Sequence, residues 1–243
     1  NPISLLLIAA WLLCMIAVPI VRWTLGDVAI YPLINLSVVL QASAVFAILA
    51  GSWGVRRTVV AAALIMVFTL MAEGIGSRTG FPFGAYDYTE RLQPQIGHVP
   101  LLIPLAWFMM VPCAWAVADG FRKKRWLFIL VSAAALTAWD LLLDPQMVTW
   151  DLWQWANEGL YFGIPLSNYA GWLLVAGLLT WIMRPGPVPV GPLLLVYTAT
   201  WFLEAFGLGV FWGMVGPALV GGLIMGFFVW LGWRNFLENG QKT

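Results

Sequence analysis

Four carboxyl side chains lie within or at the end of long apolar stretches of the sequence. Glu73, Asp140 and Glu204 have apolar neighbours on both sides, and Asp144 follows Asp140 by four residues. An ionisable group inside a membrane span costs free energy, so such groups are rare and by default mark a functional site. The alternative is that each acid only hydrogen-bonds a neighbouring helix.

The three acids inside the stretches are predicted to lie at one depth. Counted at about 1.5 Å per residue from the cytoplasmic starts of their helices, they lie roughly 18 to 22 Å across the core, in its outer half. A shared depth favours one site over three unrelated helix contacts. A proton-coupled transporter or channel, the main non-enzyme alternative, would instead distribute its acids at several depths.

The spacing of Asp140 and Asp144 places both on one helix face, with Cβ atoms about 6 Å apart. Two buried carboxyls this close do not both ionise readily, so one of them can remain a neutral acid. A neutral acid is what proton donation to a weak base requires. The alternative is that Asp144, which Pro145 follows, ends its helix and faces the interface.

Aromatic and polar residues near the acids are candidate binding groups. A lone histidine is more often structural than catalytic, and no second His or Cys accompanies His98 as a metal site would require. Deep tryptophans can stabilise a cation, although packing is the simpler explanation of any one of them. Tryptophans at span ends, including Trp150 and Trp153, indicate an aromatic belt. The candidate binding residues are Tyr86, Tyr88, His98, Trp107, Trp139, Asn168 and Trp201.

The composition predicts that lipid surrounds these residues. Of 243 residues, 62% are hydrophobic and 9% are charged, whereas a soluble domain is roughly 45–50% apolar and about 25% charged. The sequence therefore predicts an all-α, polytopic transmembrane bundle in one domain, 1–243. Its eight spans, each able to cross a core of about 30 Å, are predicted near 3–21, 31–50, 58–76, 99–118, 126–143, 168–183, 192–212 and 215–233. Seven spans are the alternative, because the last two stretches are closely spaced.

The basic residues predict the orientation. With eight spans, both termini share one side, and the positive-inside rule makes the more basic side cytoplasmic. Two long loops, 77–98 and 144–167, then face away from the cytoplasm and are expected to cap the bundle. The nine basic residues on the cytoplasmic side are Arg56, Arg57, Arg122, Lys123, Lys124, Arg125, Arg184, Arg234 and Lys242.

Charge and cysteine usage exclude several classes of protein. The net charge is +1, and no basic run is interleaved with aromatic residues, so nucleic acid is not an expected partner. Cys14 and Cys113 lie in apolar stretches and predict packing rather than a disulfide or a metal site. A prenyl transferase would need paired Asp-rich motifs for Mg²⁺ and basic residues near the diphosphate, which the outer side lacks.

Four segments in order resemble the carotenoid hydratase family of carotenoid-biosynthesis membrane proteins, the type that includes bisanhydrobacterioruberin hydratase and γ-carotene hydratase. They fall within roughly residues 70–175, and their combination is fairly specific, although each alone is weak. The resemblance supplies no established catalytic residue. The segments are Glu73–Tyr88, Val99–Trp107, Ala138–Val148 and Trp153–Trp172.

The resemblance implies addition of water to the terminal double bond of an acyclic carotenoid such as lycopene, with no redox cofactor; no metal is expected, because the residues offer no set of ligands for one. It also implies a multi-pass protein of the bacterial or archaeal cell (inner) membrane, with carotenoid, water and lipid as partners; the oligomeric state is left open. A carotenoid cyclase shares the protonation step and remains an alternative. A purely structural protein also remains open.

The mechanism expected from the residues is protonation of the alkene to a tertiary carbocation, which water then captures. Asp140 is the first choice as proton donor, with Asp144 tuning it and Glu73 or Glu204 as alternates. The groups expected to orient the water are Tyr86, Tyr88 and Asn168, and those expected to line the cation are Trp139 and Trp201.

Overall fold

Eight α-helices make up most of the chain in the computed structural model, which describes residues 2–240. They are α1 Pro2–Leu25, α2 Tyr31–Trp53, α3 Val55–Thr79, α4 Leu102–Val117, α5 Arg125–Thr149, α6 Leu166–Met183, α7 Val190–Val210 and α8 Val215–Gly240. A short 3₁₀ helix, Asp27–Ile30, precedes α2, and another, Asp119–Phe121, follows α4. Lys242, counted above on the basic side, lies outside the described residues.

Seven of these helices are at least 18 residues long and apolar enough to cross a membrane, and the exception within residues 2–240 is α4. The protein is therefore a multi-pass integral membrane protein, and the predicted all-α bundle is confirmed. The 16 residues of α4 are fewer than predicted, because Val99–Pro100 forms a strand before the helix begins.

Helix α4 lies at the centre of the bundle. Every residue from Trp107 to Val117 is buried, and α2, α3, α5 and α7 all pack against it. A helix that is apolar on all faces is stable only when it is enclosed on all faces. The helix that is too short for a typical span is thus the one that its neighbours surround.

Helix α5 continues through Pro145 to Thr149, so Asp144 does not end the helix as the alternative interpretation had it. Proline has no N–H to donate to the carbonyl four residues earlier. The hydroxyl of Tyr161 donates to that carbonyl, the oxygen of Leu141, at 3.1 Å. Burial and the nearby Asp140 raise the pKa of Tyr161 to about 12, so the hydroxyl remains a donor at neutral pH.

The two long loops meet at one end of the bundle. Strand β1 (Tyr86–Tyr88) of the first loop pairs antiparallel with strand β4 (Trp153–Trp155) of the second. Within the first loop, β2 (Gln95–Ile96) pairs with β3 (Val99–Pro100). Arg91 and Asp151 form an ion pair at 2.9 Å that joins the two loops. We refer to this paired β1–β4 unit as the cap.

The α2–α3, α4–α5 and α6–α7 connections meet at the opposite end, and most of the basic residues lie in these connections or in the helix turns beside them. Arg122 donates to the carbonyl of Pro185 at 3.0 Å, which joins the α4–α5 and α6–α7 connections. Trp53 donates to the carbonyl of Pro187 at 2.7 Å, which brings in the end of α2. The cap and this basic end thus lie at opposite ends of the helices.

Phe83 anchors the cap between α3 and α6. A Cβ added to Gly76 of α3 would lie 2.6 Å from the Phe83 ring, and one added to Gly171 of α6 would lie 2.7 Å from it. The Gly171 position would also approach the carbonyl oxygen of Pro82 at 2.8 Å. A backbone atom cannot rotate away as a side chain can. The close packing of Phe83 and Pro82 against α6 therefore requires glycine at 171.

We expect Gly171→Ala to lower the free energy of unfolding by about 1–3 kcal/mol, the usual effect of overpacking. The measurement is thermal unfolding in detergent, followed by tryptophan fluorescence. The matched control is Gly177→Ala on the same helix, where an added Cβ meets only ordinary contacts at 3.9 Å and alanine favours the helix. Equal melting temperatures for the two variants would contradict the requirement for glycine at 171.

Candidate active site

The Glu73 carboxyl group lies under the cap and accepts three side-chain hydrogen bonds. The hydroxyls of Tyr86 and Tyr88 donate at 2.5 and 2.9 Å, and the Trp107 indole N–H donates at 3.1 Å. Burial, and then the Glu73 charge, raise the pKa of both tyrosines, so their hydroxyls keep their protons. Strand alternation produces this arrangement, because residues two apart on β1 point to the same face.

Asp140 and Asp144 share one amide. The side-chain nitrogen of Asn168 donates to Asp140 Oδ2 at 2.6 Å and to Asp144 Oδ2 at 2.8 Å. The other oxygen of Asp144 accepts from the indoles of Trp153 and Trp155 at 2.6 and 3.2 Å. Both acids are only 1% exposed. Among the described residues, Asp144 thus accepts three side-chain hydrogen bonds and Asp140 accepts one.

Glu73, Asp140 and Asp144 line one small cavity of about 40 Å³. That volume exceeds the roughly 10–15 Å³ that one water molecule needs. Polar donors and aromatic rings complete its wall, so it is suited to hold ordered water. The remaining wall residues are Phe83, Tyr86, Tyr88, Ile103, Ala106, Trp107, Leu143, Trp153, Trp155, Asn168 and Trp172.

A second cavity of about 540 Å³ adjoins the first and is mostly apolar. Glu204 lies in its wall, and its Oε1 accepts from the Trp139 indole N–H at 2.9 Å. The other carboxyl oxygen, Oε2, is buried and has no partner among the described residues. The residues that line both cavities are Ile103, Ala106, Leu143 and Trp153.

Three tryptophan rings connect the two cavities. Trp107, in the small cavity, stacks on Trp172 with ring centroids 4.1 Å apart. Trp172 meets Trp139, in the large cavity, edge to face at 5.9 Å. These rings lie between the Glu73 carboxyl and the Glu204 carboxyl, and aromatic faces attract positive charge.

Comparison with known proteins assigns the family. Residues 33–228 match the family described as "Carotenoid biosynthesis protein". The chain belongs to this family. Bisanhydrobacterioruberin hydratase of Haloarcula japonica is 32% identical over 124 residues, which cover 49% of this chain and 42% of that relative. The match therefore spans less than half the length of the relative. No solved structure matches the chain.

The predicted site residues of this carotenoid biosynthesis protein divide between the two cavities. Glu73, Asp140 and Asp144 come together in the small one, while Glu204 lies in the adjoining one. Of the predicted binding residues, the four in the small cavity are Tyr86, Tyr88, Trp107 and Asn168, and Trp139 lines the large one.

The structure does not bring His98 or Trp201 to either cavity. His98 is exposed in the turn between β2 and β3, with φ 71°, because the two strands fold the end of the loop back on itself. The Trp201 indole donates to the carbonyl of Gly222 on α8 at 2.6 Å. Its ring also fills space next to Gly226, so it packs α7 against α8.

Three tryptophans of the two cavities are absent from the site residues predicted from the sequence. The sequence predicts that Trp153 belongs to an aromatic belt, whereas its indole N–H donates to Asp144, as does that of Trp155. Trp172 bridges the other two deep rings. The alternation in Trp153-Gln154-Trp155 matches that in Tyr86-Asp87-Tyr88 and was the available signal, since residues two apart on a strand share a face.

Proposed function

We propose that this protein adds water across the terminal carbon–carbon double bond of an acyclic carotenoid. The observation that carries the proposal is that three buried carboxyls meet in a water-sized cavity next to a large apolar one. Such a pair of cavities suits a reaction between water and a hydrocarbon. The name of the Haloarcula japonica relative, a hydratase, supports the same reaction class.

Asp140 is the proton donor in this proposal. Glu73 and Asp144 each accept three side-chain hydrogen bonds, which favour the carboxylate form. Asp140 accepts one. Because the amide of Asn168 holds Asp140 next to Asp144, the two do not both ionise readily. A proton held by the pair then resides on Asp140.

The first step transfers that proton to the alkene. The O–H bond of Asp140 breaks, and the electron pair of the double bond forms a C–H bond at the less substituted carbon. The other carbon, which carries two methyl groups, becomes a tertiary carbocation. The faces of Trp107, Trp139 and Trp172 and the Glu73 carboxylate stabilise this charge and add no nucleophile at the ring carbons.

The second step adds water. A water molecule in the small cavity, near Tyr86, Tyr88 and Asn168, attacks the cation through its oxygen and forms the C–O bond. The Asp140 carboxylate takes the released proton and returns to its starting form. The tertiary alcohol therefore forms without net consumption of protons or electrons, so the balance requires no redox cofactor. The bacterial or archaeal inner membrane, where such polyenes dissolve, is the proposed location.

The test is expression of the chain in a bacterial host that makes lycopene, with pigments analysed by chromatography and mass spectrometry. We expect a new, more polar pigment that is heavier than lycopene by one water molecule. The host without the chain is the control. An isomer of unchanged mass would show cyclisation, and unchanged lycopene would show no reaction; either result would overturn the proposal.

A further inference from the structure

The large cavity reaches the lipid-facing surface of the bundle between α1 and α7. Four apolar side chains line it there, and they are also about half exposed: Ile16 and Ile20 at 51% and 50%, and Phe202 and Phe206 at 55% and 47%. Exposed apolar side chains within spanning helices contact lipid. A side chain that both lines a cavity and faces lipid marks an opening from one to the other.

The inner end of the same cavity is polar. Glu204 and Trp139 line it together with the buried amide of Gln41. The unpartnered oxygen of Glu204 is costly in apolar surroundings unless a ligand or water contacts it. The cavity thus runs from the lipid-facing opening to a polar inner end beside the small cavity.

An aromatic and cationic cluster closes the opening on its outer side. The Arg22 guanidinium donates to the carbonyl of Phe211 at 3.4 Å and lies 4.7 Å from the centre of the Trp212 ring. Trp23 meets Phe211 edge to face at 5.2 Å. These contacts join the end of α1 to the α7–α8 turn, so the opening faces the lipid chains and not the water outside.

The geometry points to lateral loading: we propose that one end of the polyene slides from the bilayer into the large cavity through the α1–α7 opening. The inference rests on the proposed function for the identity of the ligand, which is an extended hydrocarbon. The cap and the Arg22 cluster lie between the large cavity and the water outside, so a polyene dissolved in lipid reaches this cavity more directly through the α1–α7 opening.

The test narrows the opening and measures bound pigment separately from product. Ile16→Trp and Ile20→Trp place a large ring in the opening, and Val67→Trp on α3 is the control, since Val67 is 56% exposed and lines neither cavity. Each chain is expressed with lycopene and purified, and the ratio of lycopene plus its products to protein is measured by absorbance. We expect the ratio to fall about tenfold in the two α1 variants and to stay unchanged in Val67→Trp.

A reversible block of the opening distinguishes lost access from misfolding of the tryptophan variants. Ile20→Cys is treated with a bulky disulfide-forming reagent and then with a reductant; Cys14 and Cys113 are buried, and the unsubstituted chain is the labelling control. We expect pigment loading to stop on labelling and to return on reduction. Loading equal to that of Val67→Trp in all α1 variants would overturn the lateral opening. A wild-type chain that loads lycopene without hydrating it would overturn only the proposed function.

Discussion

Asp140→Asn is expected to lower the rate of hydration by about 10²–10⁴-fold, the usual contribution of a general acid. Asparagine keeps the size of the side chain but cannot release a proton to an alkene. The measurement is the initial rate of formation of the hydrated pigment, in membranes with equal amounts of each chain.

The control for Asp140→Asn is Asp87→Asn, because Asp87 lies on β1 with its side chain exposed on the outer face of the cap. That variant is expected to keep the wild-type rate. Wild-type product from Asp140→Asn would remove Asp140 from the role of donor, and Glu204→Gln would then be the variant to measure.

Asn168→Asp is expected to lower the free energy of unfolding by about 3–5 kcal/mol, the usual effect of leaving buried charge uncompensated. The substitution removes the N–H donors that hold Asp140 and Asp144 and places a third carboxyl between them. The measurement is denaturant or thermal unfolding of the purified protein in detergent.

The matched variant exchanges the two groups, with Asn168→Asp and Asp140→Asn in one chain. The exchange restores one amide and two carboxyls to the cluster, so much of the lost stability is expected to return. A single Asn168→Asp variant that unfolds at the same denaturant concentration as wild type would contradict the role of the shared amide.

The helices could be predicted from the sequence because a helix that crosses the membrane needs a long run of apolar residues. Predicted and observed bounds agree within a few residues for most spans, including the close α7–α8 pair, where Gly213 takes a positive φ of 68° in the turn. Helix α8 continues to Gly240, seven residues beyond its predicted end at 233. Two other bounds differ for local reasons. The backbone of Val99–Pro100 pairs with β2, and Tyr161 supplies the donor that allows α5 to pass Pro145.

The site was only partly predictable. The four-residue spacing places Asp140 and Asp144 on one face, and the structure has both contact Asn168. The pairing of β1 with β4 joins residues more than 60 positions apart, and no local pattern fixes such a pair. The predicted depth also could not separate Glu204 from the other acids, because Trp139 holds Glu204 in the other cavity.

The wall of the large cavity that includes Glu204 and Trp139 is buried within the bundle, and under the proposed lateral loading this has a consequence for symmetric substrates. A polyene that enters through the α1–α7 opening presents one terminus to the carboxyls, while its far terminus stays in the bilayer. It must withdraw, reverse in the bilayer and load again, so turnover is distributive. If the proposed function holds, we expect a singly hydrated carotenoid to accumulate before the doubly hydrated one, in an amount that depends on how its new hydroxyl anchors that terminus at the membrane surface.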